Sequence, residues 1–417
     1  MWAIATYLAR LSADLRYRSS EQRNELTVNN RGTNLDTVRR YNLSRILGLV
    51  HSEGAVSRST LTRETGLNRS TVAALVTELA ALRLVIEAEP EVNRGVGRPS
   101  PVVRPHPDCV AFAVNPEQDA ISVGVVRMNG EVVDRVRHEY DSPLGVDETV
   151  RVTAEIIASL RSTLPAESVI AGVGVAVPGL VRSDDGVVRL APHLDWVDEP
   201  IASLLTDATG YAARAANDAS LGALAEHTFG AGRGVRDLIY LNGGASGIGG
   251  GVIVNGTPLS GVGGYAGEFG HNLVTAPDGP GKPSTGGTLE DEVNRGRLLE
   301  LLELRSADPS QFEEALLSST SPELRDEAVR QLGILSIALR NAINVLNPEL
   351  VVLGGFLASL YAFDPDLLEA LVAEQTLTAS YESVRIVRAQ LGPDLLLIGA
   401  AQLAFEPLID DPARLGA

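Results

Sequence analysis

Val169-Ile-Ala-Gly-Val-Gly-Val-Ala-Val-Pro-Gly179 is an unbroken apolar and glycine run closed by a Pro-Gly turn. No polar residue interrupts it, so neither face of a strand here is suited to water. The run predicts a strand over 169–177 that is buried on both faces. On its N-terminal side, shorter apolar runs at 111–114, 121–126 and 132–136 read as strands, and 149–160 reads as a helix. On its C-terminal side the pattern returns, with strands over 238–241 and 249–254, a long helix over 323–346 and a strand over 350–353. Strands alternating with helices indicate an α/β domain. The two similar runs predict two α/β lobes with a cleft between them, occupying 105–417.

Ahead of this body the period changes. Leu43, Ile46, Leu47 and Val50 recur at the spacing of one helix face. Ser57 is placed to cap a second, short helix reaching Glu64, with Leu61 inward, and Gly66 supplies a tight turn. Asn68 is placed to cap a third helix, whose buried stripe is Val72, Leu75, Val76, Leu79 and Leu82. Helix, short helix, glycine turn and helix predict a helix-turn-helix, in which the third helix enters the major groove. Its first turn, Arg69-Ser70-Thr71, offers a guanidinium that pairs with guanine and hydroxyls that reach bases or phosphates. Two short strands, 84–86 and 102–103, flank a Gly-, Pro- and Arg-rich stretch at 90–101 that reads as a wing. Arg94 and Arg98 are its candidate contacts to the minor groove or backbone. The winged helix-turn-helix is expected over 35–104, and 1–34, which shows no sustained period, reads as an arm.

The 417-residue chain has a formal net charge of -18, which taken alone argues against nucleic acid. The distribution argues the other way. Residues 1–104 hold 15 Arg against 10 Asp and Glu, whereas the remainder holds 20 Lys and Arg against 43 Asp and Glu. A basic head on an acidic body is expected of a DNA-reading module joined to an effector domain. Cys109 is the sole cysteine, which excludes a disulfide framework and a cysteine-rich metal site. No apolar run is long enough to span a bilayer and no secretion signal is evident, so the expected compartment is the cytoplasm.

Five motifs then stand in the order and spacing of the ROK family. They are Gly172-Val-Gly-Val-Ala-Val-Pro-Gly179, Asn217-Asp218-Ala219, Gly247-Ile-Gly-Gly-Gly251, Ala266-Gly-Glu-Phe-Gly-His271 and Val352-Leu-Gly-Gly355. The sequence resembles that family from about Leu35 to Pro412. The family holds sugar-responsive repressors and sugar kinases on an actin-like ATPase fold, and the DNA-reading head points to its repressor branch. The resemblance implies sugar contacts at Asn217, Asp218, Glu268, His271 and Glu290. The chemistry agrees, because carboxylates accept from sugar hydroxyls while Asn and His complete the donor and acceptor pattern. His193 stands where relatives often carry Asn.

Two departures bear on mechanism. ROK kinases hold ATP phosphates in an Asp-x-Gly-x-Thr-like loop, and the matching stretch here is Asn115-Pro-Glu-Gln-Asp119. It has no glycine, Pro116 removes an amide donor, and Glu117 and Asp119 would repel phosphate. Gly279-Pro-Gly-Lys282 is no substitute, since Pro283 stands where a P-loop needs Ser or Thr. The stretch 247–251 reads as a glycine-rich hairpin rather than a second phosphate loop. Many relatives also hold zinc with one His and three thiolates, but Pro283-Ser-Thr-Gly-Gly-Thr-Leu-Glu290 has no cysteine, so no metal is expected and His271 loses that role. The sequence is therefore read as a repressor with no catalytic residues and no cofactor. Its expected partners are double-stranded operator DNA, a small sugar effector and a second copy of itself, as a homodimer or higher homo-oligomer. The alternatives are an ATP-dependent sugar kinase with an appended DNA-binding module, and a sensor of some other ligand on the same fold.

Overall fold

The computed structural model describes residues 32–88, 101–244, 247–274 and 286–416. The expected arm lies outside the described residues except for 32–34, which open the first helix. The wing tip, 89–100, with Arg94 and Arg98, also lies outside them.

The first helix, Gly32–Glu53, buries Leu43, Ile46, Leu47 and Val50 completely. Strand β1 (Val56–Ser57) follows, and Ser57 caps the helix Arg58–Thr65 by accepting from the Thr60 amide at 3.0 Å. That helix stops at Gly66, whose φ of 71° is left-handed and suits glycine. Asn68 accepts from the Thr71 amide at 2.8 Å and caps the helix Arg69–Ala81. Val72, Leu75, Val76 and Leu79 are buried, whereas Leu82 has become the C-cap and is half-buried. Strands β2 (Val85–Ala88) and β3 (Val102–Pro105) pair antiparallel, and β1 adds to the far edge of β3. Strands β2 and β3 both run two residues beyond the apolar stretches ending at 86 and 103, and nothing in the sequence pattern marks β1.

The body contains two five-stranded sheets of one topology. In the first, β4 (Cys109–Pro116), β5 (Ala120–Arg127) and β6 (Val132–Glu139) form an antiparallel meander. Strands β7 (Val169–Val177) and β11 (Ala213–Asn217) then add in parallel on the other side of β4. In the second, β12 (Leu238–Gly243), β13 (Ile248–Val254) and β14 (Thr257–Pro258) form the meander, with β15 (Leu350–Gly355) and β16 (Arg385–Arg388) in parallel beyond β12. A small antiparallel sheet of β8 (Leu180–Val181), β9 (Val188–Ala191) and β10 (Trp196–Glu199) follows β7. The long helix Pro322–Leu346 covers the second sheet.

Two helices bind these layers together. Asp218–Phe229 leaves the end of β11 and packs on β12 and β13, so it crosses from one lobe to the other. Leu395–Asp410 lies on β4 and β7 of the first lobe. The approach is close: a β-carbon on Gly174 would stand 1.7 Å from the Ala400 carbonyl oxygen, which explains a glycine within a buried strand. The segment Gly392–Asp410 is long and apolar enough to cross a membrane, but here it is a core helix, with Leu397, Ala400, Ala401 and Ala404 buried. The head adds to this same core. Leu43, Ile46 and Val50 belong to one continuous apolar cluster with Ala111, Ala404, Phe405 and Leu408. His51 is buried at the junction, its Nδ1 2.5 Å from the Met128 carbonyl oxygen and its ring edge-on to Phe229.

Candidate functional site

The site forms where β11 ends and the lobe-crossing helix begins. Asn217 caps that helix: its Oδ1 accepts from the Ser220 amide at 2.9 Å, and its Nδ2 donates to the Gly179 carbonyl at 3.0 Å. Its amide thus ties the Pro178-Gly179 turn to the helix start. Both ends of the expected sugar contact Asn217 are engaged within the protein, with Nδ2 also 3.3 Å from Asp218 Oδ1. Asp218 is the first helical residue, and its Oδ1 accepts from its neighbour's amide, Ala219, at 2.8 Å. Loss of solvent raises its pKa to about 6, the Ala219 amide opposes that rise and Glu268 adds to it.

Glu268 leads into the short turn Phe269–His271. Burial holds its carboxyl above the usual range, His271 works against this and Glu290 reinforces it. The His271 side chain is exposed, and its Nδ1 lies 3.6 Å from Glu290 Oε1. Glu290 sits in the helical turn Leu289–Glu292, capped by Thr288, and its Oε2 accepts from the Ile248 amide at 3.3 Å. The carboxylate fits there because Gly247 and Gly270 have no side chains; β-carbons on them would lie 2.5 and 2.9 Å from Oε2. The fold therefore gathers Asp218, Glu268, His271 and Glu290 at the join of the two lobes. Three carboxylates and an imidazole can accept several hydroxyl hydrogen bonds, and they offer an anionic group little welcome. His193 is exposed on the turn Pro192–Leu194, between β9 and β10.

The stretch that would cradle phosphates has folded into a hairpin. Asn115 and Pro116 finish β4, Ala120 starts β5, and the Glu117 amide donates to the Ala120 carbonyl at 2.7 Å. Its carboxylates are less bare than the sequence suggested. Arg137, on β6, reaches Glu117 at 2.6 Å and Asp119 at 3.3 Å, and the bond to Glu117 raises its own pKa. Arg137 offsets part of the expected repulsion, while the Glu117 amide is engaged inside the hairpin. The stretch 247–251 likewise enters the β12–β13 hairpin, which the Gly244 amide closes by donating to the Gly247 carbonyl at 2.9 Å. Lys282 and the residues around it, 275–285, lie outside the described residues. Among the described residues no group of three or more His, Cys, Asp or Glu is arranged to hold a metal. Cys109 is buried in β4, where burial pushes its thiol up to about 12.

On the head, Arg69 and Ser70 are exposed and Thr71 is half-buried. The Ser70 hydroxyl donates to Asn68 Oδ1 at 2.7 Å, so its lone pairs remain available. Arg39, Arg40, Arg58, Arg63 and Arg83 all pair with carboxylates, whereas Arg69 makes no ion pair among the described residues.

The ROK family model matches residues 113–406. The xylose repressor of Caldicellulosiruptor bescii is 24% identical over 395 residues, covering 90% of this chain and 98% of that protein. The glucokinase of Thermotoga maritima is 29% identical over 308 residues, covering 68% of this chain and 94% of the enzyme. A solved ROK transcriptional regulator, homologous to the E. coli MLC protein, superposes with a TM-score of 0.73 at 22% identity, covering 89% of this chain and 97% of the regulator. The kinase match covers 68% of this chain, against 90% and 89% for the repressor and the regulator. The chain belongs to the ROK family.

Proposed function

We propose that this ROK protein is a transcription repressor that a sugar releases from its operator. The head, 35–104, acts as a winged helix-turn-helix. The helix Arg69–Ala81 enters the major groove with Arg69, Ser70 and Thr71 toward the bases, and Arg94 and Arg98 on the wing reach the minor groove or backbone. The body, 105–417, is the two-lobed effector domain. Asp218, Glu268, His271 and Glu290 hold the sugar hydroxyls while Asn217 fixes the helix start. Two copies place two heads on half-sites about one helical turn, roughly 34–36 Å, apart.

The observation that carries this reading is a pairing. A carboxylate and imidazole cluster suited to hydroxyls stands at the lobe junction, while the stretch that would hold ATP phosphates is a hairpin carrying Glu117 and Asp119. Recognition chemistry is kept where phosphate chemistry is lost, which suits sensing. One observation favours the kinase reading instead: an Asp218 carboxyl raised to about 6 is placed for a general base.

Mobility-shift assays on DNA upstream of its own gene test the proposal, with xylose as the first effector because the named repressor relatives suggest it, followed by a panel of monosaccharides. The protein should bind the DNA and leave it when one sugar is added. Asp218→Ala and Glu268→Ala should bind DNA as before and ignore that sugar. Release of both variants at the wild-type sugar concentration would place the sensing site elsewhere. Sugar-dependent ADP formation that disappears in Asp218→Asn would establish the kinase instead.

A further inference from the structure

The loop 259–266 leaves the second lobe after β14 and returns to it just before Glu268. Its base is tied within that lobe: the Leu259 amide donates to the Val252 carbonyl at 2.8 Å, and the Ala266 amide to the Ser260 carbonyl at 3.1 Å. Its tip crosses to the first lobe. The Gly263 carbonyl accepts from the Ser183 amide at 3.2 Å, and Gly264 lies against the turn between β8 and β9. A β-carbon on Gly264 would stand 2.9 Å from the Val181 carbonyl oxygen and 3.1 Å from the Ser183 amide nitrogen. Its φ of 89° is also left-handed, so glycine alone sits there without strain. The receiving turn is firm. Arg182 pairs with Asp185, and the Gly186 amide donates to the Arg182 carbonyl at 2.9 Å. Gly186 in turn rests on Ala202 and on Ala215, the latter in the strand that ends at Asn217.

The hold of tip on turn is light. It consists of one backbone hydrogen bond, worth roughly two- to tenfold in population, and the contact of one glycine. Apolar side chains that could strengthen it are left in solvent: Val262 is fully exposed, and Leu259 and Tyr265 are each more than a third exposed. A segment with few buried apolar contacts opens ahead of the fold around it. The other end of the segment is fixed. Gly267 lies on β13, where its β-carbon would stand 2.5 Å from the Gly250 carbonyl oxygen, so Glu268 travels with the second lobe. The Pro178-Gly179 turn, to which Asn217 is bonded, travels with the first. We propose that 259–266 is a releasable latch across the cleft. Docked, it holds the rim formed by the Pro178-Gly179 turn and β8–β9 against the segment that carries Glu268; released, it lets that rim swing away. This rests on the reading that the carboxylate cluster takes a sugar. A ligand held between the two sides favours the docked state, and docking raises the affinity for the ligand by the same factor.

Double electron–electron resonance on the full chain tests this, with spin labels at Val197→Cys in β10 and Asp326→Cys in the helix Pro322–Leu346, both exposed positions. Cys109 is buried, with its thiol pushed up to about 12, so it does not take label. Without ligand, Gly264→Val and Ser183→Pro should each give longer and broader distances than the unsubstituted latch. Gly264→Val fills the space in which the tip docks. Ser183→Pro removes only the donor, because Ser183 is the first residue after Arg182 in the turn to Gly186, a place that accepts proline. Val262→Ser should leave the distances unchanged. Unaltered distances in both Gly264→Val and Ser183→Pro would overturn the latch, whatever the cluster binds. With xylose added, the distribution of the unsubstituted latch should narrow, and both latch variants should bind xylose about two- to tenfold more weakly, the worth of the lost hydrogen bond. Equal xylose affinity in variants whose distances have lengthened would overturn the link between latch and ligand. If xylose does not bind even the unsubstituted latch, that arm counts against xylose as the effector, and the ligand-free distances still decide the latch.

Discussion

His51 shows how much one buried ring can report. It is wedged between the Met128 carbonyl, Phe229 and Phe405, and burial lowers its pKa from the ordinary 6.5 to about 4. The unfolded chain therefore takes up this proton before the folded one. The stability contributed by the neutral ring is complete above pH 6.5 and is lost as pH falls from there toward 4, by about 3 kcal/mol in all. Asp218 has the opposite sign over an overlapping range. Its folded value, about 6, lies above the ordinary 3.8, so its stabilisation is present at low pH and is lost as pH rises through 6. The two partly cancel, and a wild-type stability curve hides both. His51→Gln keeps a donor for Met128 and removes the titration. Urea unfolding should show the wild type losing about 3 kcal/mol relative to this variant between pH 7 and pH 4. A constant difference between the two proteins across that range would mean that the ring does not stay neutral in the fold.

At the scale of elements, the helix Asp218–Phe229 carries most of the structural logic. It starts at the carboxylate cluster and ends against His51, roughly 18 Å away for 12 residues. Glu226, fully buried near its end, accepts from the amides of Ala231, Gln390 and Leu391 at 2.8, 2.8 and 2.9 Å. Glu226→Ala takes the partner from three part-buried amides and should cost about 1–3 kcal/mol in urea unfolding. A loss below about 1 kcal/mol would show that water replaces the carboxylate. On the head, the helix Arg69–Ala81 presents Arg69, exposed and without an ion pair among the described residues, so Arg69→Ala should relax discrimination at one operator base pair by about 1–3 kcal/mol, measured by competition between operator variants. Elements of this kind were legible in the sequence in proportion to how local their causes are. Ser57, Gly66 and Asn68 act on residues within four positions, and their roles could be read directly. Strand β1 is two residues long and exists only through pairing with Val102 and Val103, so it left no pattern. Strand β6 runs past its apolar start through Asp134, Arg135 and Arg137, because an exposed edge strand needs no hydrophobic period. The family motifs carried Asp218, Glu268, His271 and Glu290 to one place. The engagement of Asn217 with Gly179, of Arg137 with Glu117 and of His51 with Met128 was illegible, because each joins groups far apart along the chain.

For the whole molecule, the head and body share one apolar core, so the head does not hang on a free tether. Arg40 with Asp411 and Arg233 with Glu53 bridge the same seam at 3.0 and 3.6 Å. A ligand at the lobe junction that moves the helix Asp218–Phe229 therefore moves a surface on which His51 rests, 5.3 Å from the Phe229 ring centroid. Closure of two lobes on a ligand is a hinge motion, and it changes operator affinity only by the difference in sugar affinity between open and closed forms. Such couplings are typically about 1–3 kcal/mol, or roughly 5–150-fold. Linkage makes the effect reciprocal, so saturating operator DNA must weaken sugar binding by the same factor by which sugar weakens operator binding. The Phe229–His51 contact is on neither ligand, which allows the route to be tested apart from the sites. Phe229→Leu should leave sugar affinity of the free protein and operator affinity without sugar within about twofold of wild type, while cutting the coupling factor toward one. Titrating sugar with and without operator, and operator with and without sugar, measures that factor twice. If Phe229→Leu keeps the wild-type factor in both titrations, the signal crosses the seam elsewhere, and the contact of Leu395–Asp410 with the head helix becomes the next segment to vary.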